Sequence, residues 1–230
     1  MGRILFITGT GTGVGKTVLT ALLLRHLRRE GHDALAMKPF CSGSRDDARL
    51  LQRLQKKDLT LAETNPFFYK QPLAPWVAAK EGHGARISLR QALARIRRLE
   101  KRCKILLVEG SGGVLAPLGG HYSAAEIISR FGCETVIVAP NSLGTINHTL
   151  LTAKYLQSIG AKGIRIVMMP GKKPDLSSRS NINAISTLLP GIAVFSLPRL
   201  GREASKLRGV KKNAKKVKKT LAQVLGHDKL

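Results

Sequence analysis

The stretch Ile7–Thr17, ITGTGTGVGKT, ends a short apolar run, Arg3–Thr8, and opens a leucine-rich segment, VLTALLLRHL. Glycines at 9, 11, 13 and 15 let backbone N–H groups turn inward around phosphate oxygens. Lys16 adds positive charge, Thr17 offers a hydroxyl to Mg²⁺, and a helix starting there points its N-terminus at the anion. The spacing is unusual. The common pattern of Gly, four residues, then Gly-Lys-Ser/Thr would need a glycine where Thr10 stands; the nearest match is Gly9, five residues before Gly15. A dinucleotide-binding turn fits less well, because the spacing is Gly-x-Gly-x-Gly and the next strand ends in Lys38 rather than an acid. The stretch reads as a nucleoside triphosphate loop between a strand and a helix.

Outward from this loop, strand and helix signals alternate. Thr17–Arg29 carries Leu19, Leu22, Leu23 and Leu27 on or near one helical face, Asp33–Lys38 reads as a strand, and Asp46–Gln55 as a short helix. Asn65–Pro75, with three prolines, reads as an irregular loop. Leu89, Leu93, Ile96 and Leu99 mark a helix, and Ile105–Val108 and Thr135–Val138 are short buried strands. A helix over Thr145–Ile159 follows, then strands Ile164–Met168 and Ala193–Phe195 around a helix Ser177–Leu189. The implied fold class is α/β, a single-domain P-loop NTPase fold with a mostly parallel sheet and helices on both faces. Its distinctive loops, 9–16, 38–44, 109–113, 141–144 and 169–173, then share one edge, outside the carboxyl ends of the strands. Glu109 ends a buried strand, where a P-loop protein places a second carboxylate near the metal, and Asp47 is the other candidate. Oxygen donors from Thr17, Asp47 and Glu109 suit Mg²⁺, which keeps several waters.

The whole chain narrows the classes. With 230 residues and 43% apolar content it is long enough for one well-buried domain. No stretch approaches the roughly 18 uninterrupted apolar residues of a membrane span, and the N-terminal run is too short for a secretory core, so a cytoplasmic protein without a membrane partner is expected. Cys41, Cys103 and Cys133 are odd in number and unpaired in spacing, which predicts free thiols. The formal charge is +25, and the excess is uneven. Residues 205–230 hold nine Lys/Arg against Asp228 alone, on a stripe of Val210, Ala214, Val217, Leu221 and Val224. Residues 1–204 are therefore read as the P-loop domain and 205–230 as a basic amphipathic C-terminal helix or tail. No aromatics interleave with these lysines to stack bases, which argues against a nucleic-acid partner.

Seven segments together resemble one family: FITGTGTGVGKT (6–17), KPFCSG (38–43), DARLLQ (47–52), NPFFYKQPLAP (65–75), KILLVEGSGGVLAPL (104–118), VIVAPNSLGTINHTLLT (136–152) and SLPRL (196–200). In order and spacing they are similar to dethiobiotin synthetases over about residues 3–200, and the five-residue gap between glycines is that family's own form of the P-loop. The resemblance implies a homodimeric, Mg²⁺-dependent ligase of biotin biosynthesis that closes the ureido ring of dethiobiotin. Its substrates would be 7,8-diaminononanoate, CO₂ or bicarbonate, and ATP or another nucleoside triphosphate. One amine is carbamylated, the carbamate attacks the γ-phosphate, and the second amine displaces phosphate.

By the same resemblance Lys38 and Lys16 are catalytic. Nucleotide binding is assigned to Gly13, Val14, Gly15, Lys16, Thr17, Val18, Asp47, Glu109, Gly110, Ser111, Gly112, Pro198, Arg199 and Leu200. Substrate binding is assigned to Thr12, Ser42, Gly113, Leu143, Gly144, Thr145, Ile146 and Asn147, the last five at a helix N-terminus shared across the dimer, and metal binding to Thr17, Asp47 and Glu109. Two departures stand out. Gly11 replaces the usual Asp, and the strand Gly163–Met169 lacks the family's adenine-reading Asn, leaving Met168 and Met169 as an apolar slot that packs against a base without reading its edge. Three alternatives stay open: another amidoligase of the superfamily, a non-catalytic relic, and a partitioning-type ATPase. The last would suit the charge, but its signature lysine falls where Gly11 stands.

Overall fold

In the first strand, β1 (Arg3–Gly9), successive apolar residues serve two different cores. Ile4 and Phe6 face one side of the sheet, Leu5 and Ile7 the other. A strand with both faces covered reads as a continuous apolar run, and this one does. The computed structural model describes residues 2–55, 58–171 and 175–226. In it β1 is joined by β2 (Ala34–Met37), β5 (Ile105–Glu109), β6 (Glu134–Asn141), β7 (Lys162–Pro170) and β8 (Ala193–Ser196). They form a six-stranded, all-parallel sheet in the order β2-β5-β1-β6-β7-β8. The order reverses direction beside β1, which leaves a crevice at the carboxyl edge beyond the phosphate loop.

One face is covered by α5 (Leu89–Glu100), α6 (Ala124–Phe131), α7 (Thr145–Ser158) and α8 (Asn181–Leu188). The other is covered by α1 (Lys16–Arg29), α2 (Asp46–Leu54), α9 (Leu207–Lys216) and α10 (Lys218–Leu225). Local chemistry sets several of these starts. Ser88 with Gln91 and Ser123 with Glu126 close capping boxes on α5 and α6, each side chain bonding the other residue's backbone N–H. The same device, Thr60 with Glu63, starts the one-turn α3 (Leu61–Thr64), and Pro75 opens α4 (Pro75–Lys80).

Four sequence expectations need correction. The segment 65–75 is not wholly irregular. Within it β4 (Phe67–Tyr69) pairs in parallel with β3 (Phe40–Ser42), and the Phe40 and Phe67 rings meet in a tilted contact with centres 4.9 Å apart. The buried Asn65 side chain makes this possible by donating to the carbonyls of Lys38, Pro39 and Phe67. The helix expected from Ser177 is a 3₁₀ turn, Leu176–Arg179, begun by the Asp175 side chain and followed by α8. The single tail helix is two, broken at Val217. Met168 and Met169 form no open slot: strand alternation sends them to opposite cores, where they are 0% and 7% exposed. Met169 packs against Gly15, where an added Cβ would lie 3.0 Å from its side chain. Two residues of the expected loop 169–173, Lys172 and Lys173, and the last tail residues, including Asp228 and Lys229, lie outside the described residues.

At the opposite edge of the sheet, Glu134 accepts hydrogen bonds from Arg3 at 2.7 and 2.8 Å and from Arg165 at 2.8 Å, linking β6 to β1 and β7. Burial opposes its charge, yet the two guanidiniums outweigh that and hold its carboxyl below the ordinary glutamate value. A depressed folded-state value adds stability above the unfolded value, and that gain is lost as pH falls through the folded one. Glu134→Gln is therefore expected to melt well below the parent at pH 7, with the gap narrowing as the pH falls below the ordinary glutamate value of 4.5. A pH-independent gap in thermal melts would show that the charge of Glu134 adds nothing.

Candidate active site

Gly13 and Gly15 adopt φ of 73° and 103°, the left-handed region where a Cβ is penalised. These two turns bend the loop after β1 into a cradle and start α1 at Lys16, one residue earlier than the sequence pattern suggests. Lys16 is 7% exposed and donates to the carbonyls of Gly11 at 2.6 Å and Gly112 at 2.7 Å, so its stem spans from the phosphate loop to the loop after β5. Burial pushes its ammonium down to about 8, with Glu109 opposing the shift and Lys38 adding to it. A bound anion would offset that desolvation.

Lys38 stands just past the end of β2. Its backbone N–H donates to the Thr64 carbonyl and its own carbonyl accepts from Asn65. Its Nζ donates to Glu109 Oε1 at 2.8 Å, to the Asp47 carboxylate, and to Thr17 Oγ1 at 3.5 Å. Thr17 Oγ1 in turn donates to Glu109 Oε1 at 2.6 Å. Burial disfavours the Lys38 charge, but the carboxylates of Glu109 and Asp47 outweigh it and hold the ammonium above the usual lysine range. Glu109 is 0% exposed, and its Oε2 finds no hydrogen-bond partner among the described residues. An orphaned buried carboxylate oxygen is costly unless a ligand satisfies it. Together with the Thr17 hydroxyl and Asp47, it is the hard oxygen set that Mg²⁺ prefers.

These groups line one cavity of about 470 Å³, together with Thr12, Gly13, Gly15, Val18, Ser42, Ser111 and Gly112. The Ser42 hydroxyl is a second buried oxygen without a hydrogen-bond partner among the described residues. The other sequence candidates sit outside this lining. Val14 packs into the core under the loop, Gly110 donates its N–H to the Ile7 carbonyl, and Gly113 abuts Gly9 and Gly11. Leu143, Gly144, Thr145, Ile146 and Asn147 form the start of α7, where the Leu143 N–H donates to Asp175 at 3.1 Å. Pro198, Arg199 and Leu200 follow β8, with Arg199 donating to the Gly171 carbonyl and Leu200 accepting from Asn213.

Sequence reasoning missed part of the wall: Cys41, Ser44, Pro72, Leu73, Ala74, Pro75, Ala116 and Ser205. Cys41 lies next to Lys38 and its thiol is pushed up to about 12 by burial, so it is a packing residue. Strand alternation beside Ser42 would have sent it to the opposite face, so its place in the wall had no local signal. The Pro72–Pro75 wall and Ser205 have no local signal, because tertiary packing alone brings them in.

A glycine-rich strand-to-helix loop at the carboxyl edge of a parallel sheet, with two lysines and a strand-end carboxylate facing it, defines a P-loop nucleotide-binding protein. A family model described as an AAA domain matches residues 3–202. Among curated relatives, the ATP-dependent dethiobiotin synthetase of Bacillus licheniformis is 38% identical over 186 residues, covering 78% of this chain and 79% of the relative. That of Aquifex aeolicus is 34% identical over 199 residues, covering 85% and 89%. The chain belongs to the ATP-dependent dethiobiotin synthetase family. Among solved structures, a ParA family ATPase from Chlorobium tepidum aligns over 98% of this chain and 99% of its own with a TM-score of 0.61. The Aquifex aeolicus cell division protein MinD aligns over 100% and 99% with a TM-score of 0.60. At 14% and 13% identity these share the fold and nothing more.

Proposed function

We propose that this chain is an ATP-dependent ligase that closes the ureido ring of dethiobiotin from 7,8-diaminononanoate, CO₂ and ATP. The observation that carries this reading is the convergence of Lys16, Lys38, Thr17, Asp47 and Glu109 on one cavity floored by the phosphate loop. Carbamate and γ-phosphate are both anionic, so their approach needs fixed cations to offset repulsion and to hold the transition-state charge. Lys16 meets the phosphates from the loop side and Lys38 from the end of β2. Thr17, Glu109 and Asp47 would hold Mg²⁺, which when bound neutralises phosphate charge and orients it. The Ser42 hydroxyl and the backbone from Ser111 to Gly113 border the space left for the carbamate. The second amine then displaces phosphate from the mixed anhydride, and the ring closes.

The start of α7 lies outside this cavity, and its exposed Leu143 and Leu151 offer an apolar face to a second copy. We read the working form as a homodimer in which Leu143–Asn147 of one copy receives the distant carboxylate of the substrate bound to the other. Residues 198–200 border the nucleotide on the base side. Among the described residues no helix is long and apolar enough to cross a membrane, which suits a cytoplasmic enzyme.

The test is nucleotide turnover with and without the diamine plus bicarbonate. Phosphate release is expected to require both, with dethiobiotin formed in equal amount. Turnover that ignores the diamine would favour another P-loop activity.

A further inference from the structure

Next along the chain from the Pro72–Pro75 wall, Trp76 lines a second cavity of about 330 Å³, whose lining shares no residue with the first. Its lining includes Trp76, Ala79, Ile87 and Leu118, and its polar side chains are Lys80, Arg86 and His121. Among the described residues no carboxylate lines it. Lys80 and Arg86 are exposed at the rim, while Ala79 and Leu118 are buried at 6% and 2% exposure. The Lys80 ammonium sits 5.3 Å from the centre of the Trp76 ring, within cation–π range.

The walls are fixed before any ligand arrives. The backbone N–H of Trp76 donates to the Pro117 carbonyl at 3.3 Å, tying α4 to the loop after β5. Tyr122 Oη donates to the Ile87 carbonyl at 2.9 Å, and the Gly119 N–H to the Tyr122 carbonyl at 3.2 Å. A Cβ on Gly119 would lie 2.1 Å from the Tyr122 ring, so only glycine lets this corner close. A preformed apolar cavity of this size with a few convergent polar groups suits a small ligand.

Its chemistry narrows the ligand. An apolar floor disfavours phosphates and sugars, which would lose hydration without hydrogen-bond partners. A rim of an ammonium and a guanidinium favours one anionic head, and a guanidinium pairs with a carboxylate through parallel hydrogen bonds. We infer that this cavity binds a monocarboxylate with an aliphatic tail, the tail lying against Trp76, Ile87 and Leu118 and the carboxylate meeting Lys80 and Arg86. Free aliphatic acids have this chemistry, and so does dethiobiotin. The site does not depend on the ligase reading.

Trp76 is the only tryptophan in the chain, so its fluorescence reports on the cavity, and titration calorimetry provides a second readout. Octanoate is expected to change the emission saturably, whereas octylamine, with the same tail and the opposite charge, does not. The double variant Lys80→Glu, Arg86→Glu alters exposed residues only and is expected to weaken octanoate binding at least about tenfold by calorimetry, about 1.4 kcal/mol. Saturating Mg-ATP should leave octanoate binding in place. Dethiobiotin titrated in parallel separates the two sources: tighter binding than octanoate assigns the site to the product, weaker binding to free acids. Equal binding of octylamine, octanoate binding unaffected by the charge reversal, or displacement by Mg-ATP would each overturn the proposal.

Discussion

Lys38→Met is expected to reduce dethiobiotin formation by at least about 10²–10³-fold, the usual cost of removing one preorganised donor at a reacting anion, while tightening divalent-cation binding to the nucleotide-free protein. The two effects share a cause. Lys38 Nζ lies between Glu109 and Asp47 and near Thr17, so the ammonium occupies the space among the oxygens assigned to Mg²⁺. On the proposed reading a cation entering there would displace it, and the displaced ammonium would be free to turn toward the carbamate. Removing the ammonium leaves Glu109 buried with the Thr17 hydroxyl as its remaining polar partner among those described here. Breaking a buried ion pair by deleting one partner costs about 3–5 kcal/mol.

The variant should therefore melt well below the parent in chelator and recover most of the difference when Mn²⁺ or Mg²⁺ is added. Mn²⁺ titration followed by electron paramagnetic resonance should give a dissociation constant lower by about tenfold or more, equivalent to about 1.4 kcal/mol. Glu109→Gln provides the contrast, losing cation binding and the metal-dependent rise in melting temperature. Unchanged Mn²⁺ affinity in Lys38→Met would mean that the lysine and the metal do not compete, and near-parental turnover would remove Lys38 from the chemistry.

How much of this site was legible in the sequence depends on whether the signal was local. Gly9–Thr17 and Glu109 announce themselves, because a phosphate cradle needs glycines at particular turns and a strand-end carboxylate interrupts an apolar run. Lys38 was assigned only through the family resemblance carried by KPFCSG (38–43), since a lysine at a strand end has no local signal of its own. The parallel sheet followed from alternation of elements, and its order from β2 to β8 from the structure alone. The Met168–Met169 reading failed although the information was present: adjacent strand residues face opposite sides, so the two could not form one slot. β4 was hidden between Pro66 and Pro72, and it forms because Asn65 satisfies three carbonyls across the gap. Ser205 could not have been found, since the fold of the tail carries it to the cavity rim.

Truncation after Gly209 is expected to prevent stable folding, which is a larger effect than the tail's charge and polarity suggest. Val210, Leu221, Val224 and Leu225 are at most 1% exposed and share one apolar cluster with Leu19, Leu22, Leu23 and Leu27 of α1. Burying a Val or Leu side chain contributes about 1.5–3 kcal/mol, so these four account for roughly 6–12 kcal/mol as an upper bound, against about 5–15 kcal/mol for an entire domain. Polar ties would go as well: Arg3 donates to the Leu225 carbonyl at 2.7 Å, and Asn213 donates to the Leu200 carbonyl at 2.9 Å. Because α1 begins in the phosphate loop, loosening its outer face also loosens the cradle. Leu221→Ala is the graded version, with an expected cost of about 2–5 kcal/mol. The lysines should behave differently. Lys211, Lys212, Lys215 and Lys216 are exposed, and changing all four to Gln should move the melting temperature little, since a surface substitution is usually worth within about 0.5 kcal/mol. Thermal melts of the three proteins decide between a docked structural element and a charged arm. A truncated chain that melts cooperatively near the parent temperature, with salt-sensitive DNA binding in the full chain that disappears in the four-Gln variant, would reverse the assignment and make the basic face the purpose of these two helices.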